Sequence, residues 1–449
     1  MSELVDLVTR VTESVQGNEQ IEAFAAHDRT FETRVFAGEV ESISSAEPRG
    51  IGVRVVIDHQ VGFAYSTDIT DAGLRDTLER ARANARFSTS DDAAGIAIAS
   101  EGTPSPIPNL VDEHFSDASA SDKTGLALAL DKATREVDAR IRTVEDSLYS
   151  DSFSEVAIST STGVTGTYAR SDAWCYSVAI AEDAGDTQVG FEFGLARGLA
   201  GLDPEDVARR AARRALDILG AGKIPSARMP IVLDPYTAGQ FLGVIGSALT
   251  GEAVQKGRSL FAGKIGERVA GEITLIDDGT VAGAPGSSPW DDEGTPTQHT
   301  EIIAGGILRG LLYDLPSARR DKVASTGNAS RAGFKSAPSP SPSNLAFEPT
   351  GQTREEVFRS AGRALLVQDF HGVHSGANPV SGDFSVGVTG RLLEDGVPTQ
   401  AVKEVTIAAP MLEILSSITA IADDRRWLPF GGSFGGATTL VAEMTVAGL

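Results

Sequence analysis

Six histidines and a single cysteine are the scarce chemical resource of this 449-residue chain. The histidines are His27, His59, His114, His299, His371 and His374. A zinc peptidase needs two imidazoles on one helix face, a carboxylate base beside them and a third ligand. Only His371 and His374 lie close together, with Asp369 and Asp383 near them in sequence. Their segment, HGVHSGANP, holds two glycines and a proline, so it reads as a turn that does not aim both rings one way. WDDEG (290–294) sets Asp291, Asp292 and Glu293 in a row, superficially a carboxylate pair for acid–base work. Successive residues of a strand point to opposite faces, so these read as caps, ion-pair partners or contacts to a bound peptide. Ser375 in HSG and Ser433 in GGSFGG lack the GxSxG strand-to-helix turn of serine hydrolases. PFGGSFGG likewise lacks the strand–GxGxxG–helix context of dinucleotide binding. Cys175 alternates with aromatic residues in AWCYS and reads as core.

Glycine and asparagine supply a different kind of candidate. STGN (Ser325, Thr326, Gly327, Asn328) and SGANPVSGDFSVG (Ser375, Gly376, Asn378, Gly382, Asp383) combine positive-φ glycines with side chains that bind neighbouring backbone. Such segments either hold an open sheet edge against an extended peptide or simply make tight turns.

Composition narrows the field. A content of 41% hydrophobic and 22% charged residues fits a globular fold rather than a disordered one. The net charge of −23 argues against direct nucleic-acid binding, which draws its affinity from lysine and arginine on phosphates. No apolar run approaches the roughly 18 residues that span a bilayer, and no basic-then-apolar leader opens the chain. One cysteine allows no internal disulfide, so a cytoplasmic protein is expected.

The elements that must position these residues read as α+β in two domains, 1–222 and 223–449. An opening helix carries Leu4, Val8, Val11 and Val15 on one face, with Ser2 as N-cap. Alternating strand runs follow at 21–27, 30–44, 50–58 and 61–66, covered by a helix capped near Thr70. Residues 88–112 read as a surface connection, and a second helix runs from about Lys123 to Arg140. Further strands lie at 142–150, 155–163, 166–171, 173–183 and 189–198. A helix then starts at Asp203–Pro204 and stops at Gly220. The carboxy-terminal domain opens with strand IVLDP and a helix from about Tyr236 to Gln255, and is otherwise β-rich, antiparallel and barrel-like. APSPSPSN (337–344) reads as a surface loop.

Several of these segments occur in a recognisable order: KGRSLFAGKIGERV (256–269), WDDEGTPT, LPSARR (315–320), STGN, PSNL, SGANPVSGDFSVG and EVTIAAP (404–410). In this the chain resembles the TldD/PmbA family, whose members pair a TldD-like zinc subunit bearing HExxxH with a TldE/PmbA subunit that lacks it. No HExxxH occurs in this sequence. Counting back from Lys256, the two histidine positions fall on Leu242 and Ser247 and the glutamate position on Gly243. None of these replacements supplies zinc chemistry, and the third ligand, a cysteine near the carboxy terminus, has no counterpart. The resemblance therefore implies a non-catalytic subunit with no cofactor of its own. It would build a chamber with a TldD-like zinc metallopeptidase subunit, hold extended or unfolded peptides for cleavage, and form a homodimer when isolated. A stand-alone enzyme and a homodimeric peptide-binding protein are the alternatives.

Overall fold

The computed structural model describes residues 3–99 and 103–449; the expected cap Ser2 lies outside the described residues. Among the described residues, seven strands precede residue 197. They are β1 (Gln20–Phe36), β2 (Glu39–Ala46), β3 (Arg49–Ile57), β4 (Gln60–Ser66), β5 (Ile141–Thr160), β6 (Thr165–Asp183) and β7 (Asp186–Ala196). All pair antiparallel in the order β4-β3-β1-β5-β6-β7, with β2 on the distal half of β1. The runs expected as separate strands at 21–27 and 30–44 join through Phe36, and the second is split by the Ala37–Gly38 turn into the end of β1 and β2. Those at 142–150 and 155–163, and at 166–171 and 173–183, form one strand each, β5 and β6. Their polar interiors are not breaks: Asp28, Ser152 and Ser154 lie on one sheet face, and odd-numbered residues such as Asp151 lie on the opposite, helix-facing face.

That face follows from the period of two. Odd residues of β1 (Ile21, Ala23, Ala25) point to the helices α1 (Glu3–Thr12) and α2 (Asp71–Ala85), which bury Leu4, Val8, Val11, Leu74 and Leu78 against them. Each such fully buried side chain stabilises by about 1.5–3 kcal/mol. The opening helix stops at Thr12, so Val15 leaves the apolar face and is 43% exposed. α3 (Ala120–Glu136) begins earlier than expected because Ser119 and Asp122 form a capping box. α4 (Pro204–Leu216) starts at Asp203 and Pro204 as read. These two helices cover the far half of the same sheet face, where Cys175 is buried.

The remaining strands are β8 (Ala227–Leu233), β9 (Leu275–Asp278), β10 (His299–Ala304), β11 (Ile307–Leu308), β12 (Ala329–Ser330), β13 (Ser339–Pro340), β14 (Leu345–Phe347), β15 (Ala364–His371), β16 (Asp383–Glu394), β17 (Val397–Pro410), β18 (Ile418–Ile421), β19 (Arg426–Leu428), β20 (Phe434–Gly436) and β21 (Thr439–Ala447). β17, β16, β15, β8 and β21 close into a five-stranded barrel through the pairing of β17 with β21. The expected barrel-like domain is therefore present, with two exceptions to its antiparallel character, β14 beside β20 and one pair within the barrel. β8 and β15 run parallel, since a long excursion separates them. A second six-stranded sheet, β11-β10-β9-β14-β20-β19, stands beside it.

The helix expected over 236–255 is two pieces. α5 (Pro235–Gly246) is capped by Asp234, and α6 (Gly251–Gln255) by Thr250. α5 ends at its C-cap, Ser247, and Thr250 accepts the Ala253 N–H to start α6. α5 lies against β20, where glycine is obligatory: a Cβ on Gly436 would sit 1.9 Å from the Pro235 carbonyl oxygen.

Candidate functional site

A cleft of about 870 Å³ lies between the even-numbered face of β1, β5 and β6 and the loops of the carboxy-terminal half. Its floor is set by register. Asp28 is paired with Ser154, and Ser154 with Arg170, giving one row across three strands. Tyr168, Asp172 and Trp174 continue the β6 side of the same floor. The roof is the two-stranded β12–β13 ladder with the turns around it. In β13 and beyond, Ser339, Ser341 and Ser343 line the cleft, because alternate residues of an extended chain share a face. The segment expected as a plain surface loop is thus a wall of the cleft. Alternate prolines keep that wall extended. Ser152, Ser154 and Ser330 add further hydroxyls, so much of the lining is neutral, small and able to donate or accept hydrogen bonds.

The WDDEG turn holds roof to floor. Asp291 Oδ1 accepts the N–H groups of Glu293 and Thr295, each at 2.9 Å, and Oδ2 accepts that of Ala329 at 3.1 Å. Asp292 accepts the Arg331 N–H at 2.7 Å. Glu293 accepts the Leu315 N–H at 2.8 Å and meets Arg54 Nη1 at 2.8 Å. Arg54 and Arg331 both donate to Glu22. The side chains of this four-member network are at most 7% exposed, and it joins β1 and β3 to two carboxy-terminal loops. Burial first, and for Asp291 the neighbouring Glu293 charge, push the Asp291, Asp292 and Glu293 carboxyls up from their ordinary range. The segment is a turn and not the expected strand, so alternation does not govern it; the three carboxylates part because each is bound to different partners. They serve as turn acceptors and ion-pair partners.

LPSARR is also a fastener. Arg319, on helix α7 (Leu315–Asp321), donates to the carbonyls of Ala93 and Ile96. Thr160 Oγ1 donates to that of Ala97 at 3.2 Å. The connection read as lying on the surface is therefore partly buried, with Ala93, Ile96 and Ala97 in the interior.

The sequence candidates separate in space. Gly327 and Asn328 line the cleft, whereas Ser325, Thr326, Ser375, Gly376, Asn378, Gly382 and Asp383 do not. Asn328 is buried and saturated: its amide donates to Asp277, Ser341 and Ser343, and its oxygen accepts from Thr326. Ser325 and Thr326 each bond the Tyr313 carbonyl. Gly327 has φ +69°, and a Cβ there would stand 2.4 Å from the Pro296 oxygen. Asn378 makes an Asx turn by accepting from Val380 and Ser381, and Ser381 donates to Asp383. Ser375 bonds the Gly372 carbonyl, and a Cβ on Gly376 would collide with the Ser385 oxygen at 2.1 Å. Gly382 is buried at φ +83°. Asp383 lines a separate hollow of about 420 Å³ beside Arg228 and Glu413.

The histidine pair does not assemble either. His371 ends β15 and bonds Thr389, while His374 sits in a single exposed helical turn, α8 (Val373–Gly376). That turn corrects the expectation of a purely non-helical loop, although its four residues are too few to present two imidazoles on one face. Among the described residues no group of three or more His, Cys, Asp or Glu side chains is gathered where it could hold a metal ion. Sequence reasoning does not single out the β6 floor residues or the Ser/Pro wall. The strand alternation of TYARSDAW is the signal that could have found the floor.

Fold and cleft define the class: an α+β protein with a closed barrel, in which a helix-backed antiparallel sheet and carboxy-terminal loops outside the barrel enclose a serine-rich cleft. Domain models described as PmbA/TldA metallopeptidase domain 1, central domain and C-terminal domain match residues 21–85, 113–219 and 226–448. The chain is 26% identical to the metalloprotease PmbA of Escherichia coli O157:H7 over 92% of this chain and 88% of that one. It is 30% identical to a metalloprotease TldD homolog of Haemophilus influenzae over 84% and 79%. TldE from Thermococcus kodakarensis has the same fold, with a TM-score of 0.88 at 22% identity over 99% of both chains. The chain belongs to the PmbA/TldD family.

The metal that the family name implies does not fit α5. Leu242 is fully buried in the barrel-side core. Above Gly243, a Cβ would stand 3.3 Å from the Phe434 ring. Ser247, at the helix end, donates its hydroxyl to the Val244 carbonyl. An alkyl group, a missing side chain and a neutral hydroxyl offer zinc neither a strong ligand nor a base.

Proposed function

We propose that this chain is a non-catalytic, TldE/PmbA-like subunit that pairs with a TldD-like zinc metallopeptidase and presents extended or unfolded peptides to it in the cytoplasm. The observation carrying this reading is α5: Leu242, Gly243 and Ser247 are committed to packing and helix capping, so metal and base come from the partner. Zinc is accordingly a cofactor of the partner and not of this chain. The cleft supports the peptide role, because serine hydroxyls and glycine-bearing turns offer main-chain contacts without demanding one sequence. We assign Gly327 and Asn328 to the wall of the peptide path. Ser375 and Asn378, exposed on their turn, are the surface offered to the partner, with Gly376, Gly382 and Asp383 shaping it. The single buried cysteine suits a reducing compartment.

The test is co-purification of the tagged chain from its own cells, followed by zinc analysis and peptidase assay of the chain alone and of the pair. The expected result is a TldD-like partner, roughly one zinc per pair, and activity only in the pair. Stoichiometric zinc in the chain alone, lost on His371→Ala, would promote the stand-alone enzyme. A homodimer that binds peptides but recruits no such partner would favour the non-proteolytic reading.

A further inference from the structure

Charge pairing distinguishes one group in the cleft from all the others. Arg170 lies 2.9 Å from Asp172, which also meets Arg197 at 2.6 Å. Arg331 is bound to Glu22. Asp291 and Asp292 accept backbone N–H groups. Among the described residues the Asp28 carboxylate has neither an ion-pair nor a hydrogen-bond partner, and it is half-buried on the floor. Its cross-strand neighbour is Ser154, with Arg170 one strand further. Strands lie about 4.8 Å apart, so some 10 Å separate the Asp28 and Arg170 backbones. The small serine between them leaves the intervening space open. Tyr168, on the adjacent row, faces the same floor.

We infer that Asp28 is a specificity-determining residue of the cleft, seating the lysine or arginine side chain of an extended peptide over Ser154 and Tyr168. This rests on the peptide-presenting reading and names its preferred substrate class. Three features favour a basic side chain over an acidic one. The cleft's two arginines already have carboxylate partners, Asp28 has no cation, and the chain as a whole is negative by 23 charges, which attracts basic peptides over distance. A carboxylate half withdrawn from water gains more from a cation than one on the open surface. The main chain of the peptide would meet the hydroxyls of Ser339 and Ser341, which discriminate little among sequences.

The experiment measures fluorescence anisotropy of three labelled Gly/Ser decapeptides, with Lys, Gln or Glu at the centre, against the full chain and its Asp28→Asn variant. We expect the Lys peptide to bind roughly tenfold tighter than the Gln peptide, which corresponds to about 1.4 kcal/mol. The Glu peptide should bind more weakly than either. Asp28→Asn keeps the side-chain shape, so it should abolish the Lys preference while leaving the Gln peptide's Kd unchanged. Raising salt should shrink the preference in the native chain alone. Equal binding of Lys and Gln peptides, or a preference that survives Asp28→Asn, would overturn the assignment and leave the peptide cleft standing. Failure of all three peptides to bind would sink both.

Discussion

At the residue scale, the buried carboxylates carry the energetic consequences. Asp277, on β9, is 1% exposed and receives the Asn328 amide and the Ser343 N–H on one oxygen. Its other oxygen is buried without a hydrogen-bond partner. Burial pushes this carboxyl up to about 6. The folded pKa exceeds the unfolded one, so between roughly pH 4 and 6 the folded protein holds a proton that the unfolded chain has lost. Stability therefore rises as pH falls through that window, by about 2 kcal/mol from this group between roughly pH 7 and 4.5. Urea melts of Asp277→Asn at those two pH values should show that share of the slope removed; an unchanged slope would refute the assignment. Glu293 behaves differently because it has a partner. Glu293→Ala strands Arg54 beside a single acceptor in a dry interface and should cost about 3–5 kcal/mol in a denaturant melt. A loss below about 1 kcal/mol, the range of exposed pairs, would mean that water reaches the network.

At the scale of single elements, α5 and the STGN turn separate packing from chemistry. Installing histidines at 242 and 247 and glutamate at 243 should yield no stoichiometric zinc. Position 242 lies in core, and the glutamate would have to displace Phe434. Elemental analysis of the triple variant decides this, and a tightly held zinc would show the helix to be more adaptable than its packing implies. Gly327→Val combines a positive φ with a clash against the Pro296 oxygen. It should destabilise by about 2 kcal/mol or more, visible as a lowered Tm before any effect on peptide binding. A Gly327→Val protein with native Tm would mean that the turn can rearrange.

For the whole molecule, the decisive feature is that roof and floor of the cleft come from different halves of the chain. Arg54 and Glu22 on one side meet Glu293 and Arg331 on the other, and Arg214 of α4 pairs with the α5 cap Asp234 at 2.7 Å. Without the amino-terminal half, Glu293 and Asp234 lose their cations; without the other half, Arg54 and Arg214 each keep one carboxylate of two. A chain truncated near residue 222 should therefore expose this interface and aggregate or melt early. Pairing with a zinc subunit should bury well over the roughly 1,200 Å² of a stable complex. Light scattering of the chain with its partner at micromolar concentration should accordingly give a dimer mass. A monomer, alone and mixed, would count heavily against the subunit role.

What the sequence determined by itself were the local and periodic facts. The cap at Thr70, the helix start at Asp203 and Pro204, the alternation that buries Cys175 and the mixed α+β content all follow from neighbours within a few residues. The barrel, by contrast, closes only through the distant pairing of β17 with β21. The chemical poverty of Leu242, Gly243 and Ser247 is likewise a property of residue type. Only tertiary structure could decide where the motifs meet. It sent Gly327 and Asn328 to the cleft and SGANPVSGD elsewhere, turned a Pro/Ser loop into a wall, and chose the partners that WDDEG clasps. Such outcomes depend on contacts between residues hundreds apart, such as Glu22 with Arg331. A strand pattern says which face a residue occupies; it cannot say what will be packed opposite.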